Sequence, residues 1–140
     1  MVSLDVGGSG IETVANLKEN GRVVLMFCAF EGAPRVVRFH GRGEVIERNH
    51  AEFRRLLALF PPPPVCRANV RVAVQRVSES CGWGVPFYGY RGERDDIARA
   101  VAGKTLDQLR AQALRQNLRS IDGLPGLDPE ALTDTPPPEA

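Results

Sequence analysis

The chain has 140 residues, enough for one domain with an apolar core that needs no disulfide staples. Its net charge of +1 supplies no field to draw in nucleic acid or an anionic membrane, and no apolar run approaches the roughly 18 residues of a membrane span. Residues 1–10 lack a basic stretch followed by an apolar one, and the three cysteines (Cys28, Cys66, Cys81) are widely spaced, so we read no signal peptide and no secreted disulfide framework but a cytoplasmic protein.

In chain order, VSLDV at 2–6 reads as a short strand, followed by a turn at Gly7-Gly8-Ser9-Gly10. Ser9 and Glu12 have the spacing of a capping box, which predicts a helix to about Glu19 with Ile11, Val14, Ala15 and Leu17 on one broad face. Asn20-Gly21 should stop it. The next eight apolar residues, Val23 to Phe30, suggest a strand buried on both faces, as in a barrel wall covered from outside. After a turn at 31–34, RVVRFHGRGEVIE alternates over 35–47, which predicts a long antiparallel strand completing a hairpin. Gly41 and Gly43 would let this strand bend or admit a neighbour closely. A short amphipathic helix over 50–60, with Phe53, Leu56, Leu57 and Phe60 inward, should end at Pro61–Pro64. Val70, Val72 and Val74 mark a further strand running to Val77. Residues 80–92 read as an aromatic, glycine-rich loop, two helices are expected near 94–102 and 105–118, and 128–140 read as a disordered tail.

Few motifs carry chemistry by themselves. His40 and His50 show no metal-ligand spacing with the cysteines, and no nucleophile elbow is present. Arg35, Arg38 and Arg42 lie on one strand, either as a solvated basic face or as a surface for an anionic ligand, since guanidinium forks match phosphate geometry. The Gly7–Gly10 turn opens a helix, and helix N-termini present free amides to phosphates. Trp83, between glycines, could stack on a planar ring or anchor a core or an interface.

Three strings resemble a branch of the pyridoxamine 5'-phosphate oxidase-like family: the turn and helix closing in ENGR with the hairpin VVLMFCAFEGAPRVVRFHGRGEV, then RVSESCGWGVP at 76–86, then NLRSIDGLPGL at 117–127. The resemblance covers roughly residues 2–127 and implies an α+β fold, mainly β with helices: a split β-barrel homodimer binding flavin mononucleotide (FMN) at its interface. Ser9, Gly10 and Thr13 fall where family phosphate contacts lie, and Val24, Leu25 and Met26 fall on the strand that follows. Deazaflavin or haem on the same fold is the alternative cofactor, with His40 as the candidate haem ligand. The family's better-studied oxidases carry an arginine–lysine pair where this chain has Gly10-Ile11-Glu12-Thr13, and a glutamine near Val36. They also carry a helix and two strands ahead of the segment that begins at Val2, so the chain is expected to start partway through the fold and to hold flavin poorly. The resemblance implies a flavin-dependent oxidoreductase of unknown substrate; the alternative is a flavin-free, non-catalytic dimeric module.

Overall fold

The structure is a computed structural model describing residues 1–63 and 65–133. The elements are β1 (Val2–Val6), α1 (Glu12–Asn20), β2 (Arg22–Cys28), β3 (Arg35–Glu47), α2 (Phe53–Leu57), β4 (Cys66–Cys81), α3 (Asp96–Val101), α4 (Leu106–Gln116) and a 3-10 turn at Glu130–Leu132. The four strands form one antiparallel sheet in the order β1-β4-β3-β2. It curls into a half-barrel with helices against it, the α+β arrangement of a split barrel. β1 and β2 are its edges.

Successive residues of a strand face opposite ways, and β3 uses both faces. Val45 turns to one side, where Leu17 of α1 packs with Val70, Val72, Val23 and Leu25. Ile46 turns to the other, where Phe53 and Leu56 of α2 pack with Cys66, Val2 and Leu4. A third cluster joins Ile11 and Val14 of α1 to Leu127 and Leu132. Each fully buried aliphatic side chain contributes roughly 1.5–3 kcal/mol, so these clusters hold α1, α2 and the 117–132 segment on the sheet.

The two glycines of β3 are explained by close neighbours. A Cβ on Gly43 would lie 2.6 Å from Leu17 Cδ2, so its absence seats α1. A Cβ on Gly41 would lie 2.3 Å from the Ala73 carbonyl oxygen, at the bulge where the β3–β4 register shifts between His40 and Gly41.

Several expectations need correction. Ser9 and Glu12 do not form a capping box: the N-cap is Ile11, without a side-chain bond, and Glu12 Oε1 instead accepts from the Ile121 amide at 2.9 Å. The reciprocal box occurs at Thr105 and Gln108 of α4. The apolar run at 23–30 is not covered on both faces by this chain: Val24, Met26 and Phe27 are half exposed. β4 extends well past both ends of the expected strand, because the thirteen residues of β3 give it a partner at nearly every position. The alternation that would have marked its far end is shifted in phase by the bulge. Trp83 is 85% exposed and anchors no core within the chain. Order continues past 128, with Ala131 buried; Pro64 and the rest of the expected tail, 134–140, lie outside the described residues. Among the described residues no helix is long and apolar enough to cross a membrane.

Candidate functional site

Two surfaces carry the residues singled out from sequence. The first is the turn between β1 and α1. Its shape is imposed from below by Arg67 on β4. The guanidinium is 9% exposed and pairs bidentately with Asp5, Nε to Oδ2 at 2.9 Å and Nη2 to Oδ1 at 3.0 Å. Its remaining Nη1 donates to the Gly10 carbonyl at 2.6 Å and, more weakly, to Gly8 at 3.4 Å. Asn117, also buried, donates to the Gly8 carbonyl at 3.1 Å. With those carbonyls tied inward, the amides of Ser9 and Gly10 have no hydrogen-bond partner among the described residues. A Cβ on Gly8 or Gly10 would meet nothing within 4 Å, so open space lies beside the turn. Ser9, Gly10 and Thr13 are all exposed there. These features fit a phosphate: free amides, two hydroxyls and room. The Glu12 carboxylate at the same helix start opposes one, though the Ile121 amide engages it.

The second surface is the outward face of β2. The register sets Arg22 opposite Arg42, Val24 opposite His40 and Met26 opposite Arg38. Arg38 Nη1 donates to Ser80 Oγ at 2.8 Å, and His40 Nε2 lies 3.0 Å from Ser78 Oγ. Where this face meets the end of α1 there is a cleft of about 480 Å³, with Arg22, Arg42, His40, Asn16, Asn20 and Gln75 in its lining and Val24 as its apolar wall.

Of the residues expected at the flavin site, the structure brings Ser9, Gly10 and Thr13 together. It does not bring Val24, Leu25 and Met26 to them: α1, nine residues and about 13 Å long, separates the turn from the start of β2. Leu25 turns inward to the core, while Val24 and Met26 face out. Arg67, Asp5 and Asn117, which shape the turn, were not singled out from sequence. A buried arginine on a valine-rich strand was the available signal, and it becomes readable only once Asp5 is known to lie on the neighbouring strand. Among the described residues no group of three His, Cys, Asp or Glu side chains could hold a metal ion. Cys66 is buried below α2, and that burial, with the Asp5 charge nearby, pushes its thiol up to about 11.

No protein-family model matches the chain, and no solved structure matches it with significance. Among curated proteins it is similar to the pyridoxamine 5'-phosphate oxidase family protein ustO of Aspergillus flavus, 32% identical over 139 aligned residues that take in 89% of this chain. The chain spans 56% of that relative's length. Agreement over nearly the whole chain, together with a curled antiparallel sheet flanked by a few helices, leads to one conclusion: the chain is related to the pyridoxamine 5'-phosphate oxidase family.

Proposed function

We propose that this chain is an FMN-binding protein and works as a homodimeric flavin-dependent oxidoreductase. The relation to the family supports a flavin, and the observation that carries the reading is the β1–α1 turn, where the Ser9 and Gly10 amides have no partner among the described residues and lie beside open space. In this reading those amides and the Ser9 and Thr13 hydroxyls hold the cofactor's phosphate, and Arg67 keeps the turn in shape from beneath. The flavin supplies the electron transfer when bound; the chain supplies binding and orientation. A second copy supplies the cover that the half-exposed Val24, Met26 and Phe27 lack.

The experiment is a titration with FMN, followed by quenching of flavin fluorescence. Saturable binding that Ser9→Asp abolishes supports the proposal, because a carboxylate at the turn repels the phosphate. Equal affinity in the wild type and Ser9→Asp refutes the placement.

Glu12 favours a second reading. A carboxylate in the first turn of α1, where the resembling oxidases carry cations, suits a chain that binds no flavin and acts as a dimeric binding module. Absence of any flavin absorption or quenching in the same titration would select this reading.

A further inference from the structure

We propose that the cleft between the end of α1 and the outward face of β2 and β3 is an oxyanion site, separate from the β1–α1 turn, which takes the phosphate or carboxylate group of a small organic ligand. The proposal does not depend on whether flavin binds.

The cleft is lined by donors and by no carboxylate. Arg22 and Arg42 are register partners on adjacent strands, which sets two guanidinium-bearing side chains directly opposite each other. Like charges in that position are destabilising. Neither has an acidic partner among the described residues: the ion pairs of this part of the sheet belong to Arg71 with Glu44 and Glu52, and to Arg35 with Glu79. Arg42 has a structural task, since Nη1 donates to the Asn20 carbonyl at the end of α1. That task does not explain Arg22, and α1 is already closed by Gly21, which takes a left-handed φ of 67° and donates to the Leu17 carbonyl at 2.8 Å. Arg22 fixes its backbone, with its amide donating to Asn20 Oδ1 at 2.9 Å, but its guanidinium bonds to no described residue.

The neutral donors converge on the same space. Asn20 has its oxygen committed to Arg22, which leaves its amide NH2 for a ligand. Asn16 lies one turn earlier on the same helix face. Gln75 sits at the bulge that displaces β4 beside Gly41. An oxyanion between Arg22 and Arg42 turns their repulsion into two charge-assisted contacts, and guanidinium forks match phosphate and carboxylate oxygens. The volume of about 480 Å³ exceeds what one inorganic anion fills and lies within the range of small-molecule pockets. Val24 gives the remaining space an apolar wall for the body of the ligand.

The test titrates the full chain with inorganic phosphate and, separately, with succinate. Ionic strength is held constant with chloride, and backbone amide shifts are followed by NMR. The expected result is saturable shifts at Arg22, Arg42, His40 and Gln75 by at least one of the two anions. Binding should weaken about tenfold or more in Arg22→Gln, the loss of one charge-assisted contact, and be kept within a few fold in Arg22→Lys. Phosphate binding with no succinate binding assigns the site to phosphate esters, the reverse to carboxylates, and either supports it. Thr13→Ala, which alters only the turn, should leave these shifts in place, and Arg22→Gln should leave FMN affinity unchanged. Three results would overturn the proposal. The first is equal affinity in wild type and Arg22→Gln. The second is shifts confined to residues 8–13 or reproduced by chloride alone. The third is loss of both phosphate and FMN binding in Arg22→Gln, which would make the cleft the flavin's own phosphate seat. Failure of flavin binding in the preceding titration leaves the first two of these outcomes readable, so the two proposals fail separately.

Discussion

Asp5 on β1 and Arg67 on β4 form a bidentate ion pair, 17% and 9% exposed, and the same guanidinium reaches on to the Gly10 carbonyl. One arginine thus ties the first strand to the sheet and sets the turn on which the proposed phosphate contacts sit. Removing one partner of a buried pair leaves an uncompensated charge, which costs about 3–5 kcal/mol. Asp5→Asn is therefore expected to lower the urea midpoint by that equivalent. It should also weaken FMN binding, although residue 5 offers no contact to a phosphate at the turn. Replacing both partners with apolar residues, Asp5→Leu with Arg67→Met, should cost less than the sum of the two single changes. Additive losses would show that the pair is not coupled.

The glycines of β3 predict a graded pair of outcomes. In Gly43→Ala the new methyl meets the end of Leu17, a flexible side chain, so a cost of about 1–3 kcal/mol is expected. The double variant with Leu17→Val should recover part of it. In Gly41→Ala the methyl meets the backbone carbonyl of Ala73, which cannot rotate away. That variant should lose more stability than Gly43→Ala, and thermal melts of the two are the comparison.

Cysteine chemistry should follow burial. Cys81 is exposed, Cys28 half-buried, and Cys66 buried with its thiol pushed up to about 11. Iodoacetamide at pH 8 should alkylate Cys81 first and leave Cys66 unmodified until the protein unfolds, as mass spectrometry of peptides would show. The same shift makes stability pH-dependent. The folded pKa lies above the unfolded one, so the unfolded chain loses its proton first. Stability contributed by Cys66 is complete below the unfolded value and falls as pH rises from there towards 11, by up to about 1.4 kcal/mol per unit. Between pH 8 and pH 10 the urea midpoint of the wild type should drop further than that of Cys66→Ala. Parallel curves would contradict it.

Self-association is expected from β2. Val24, Met26 and Phe27 are between 49% and 57% exposed on an edge strand, an arrangement that a second copy can cover. Sedimentation at micromolar concentration should show a dimer, and Met26→Glu should shift it to monomer. A monomeric wild type would remove the basis for homodimeric flavin binding.

For the proposed flavin site the expected order of FMN affinity is wild type, then Thr13→Ala, then Ser9→Asp. Loss of one hydrogen bond to a charged group costs about 1.5–3 kcal/mol, one to two decades in affinity. An introduced carboxylate should cost more than that. Fluorescence titration of the three proteins checks the order.

The local grammar of this chain was legible without coordinates. β1 at 2–6, β3 at 35–47 and the end of α1 at Gly21 fall where alternation, apolar spacing and a glycine stop put them, because each depends on residues adjacent in sequence. The family resemblance belongs to the same level, since it rests on contiguous strings. What tertiary structure decided is everything that depends on partners far away in the chain. The Ser9–Glu12 box was lost because Glu12 found the amide of Ile121, 109 residues on. The length of β4 followed from pairing with β3, and the bulge at Gly41 hid its far end, beyond Val77, by shifting the alternation. The turn owes its shape to Arg67 and Asn117, and the cationic cleft exists only because the hairpin register sets Arg22 against Arg42. Spacing along a chain reports the face a residue occupies, but which charges meet across strands is set by register, and register is fixed by burial of the sheet's faces together with the hairpin turn.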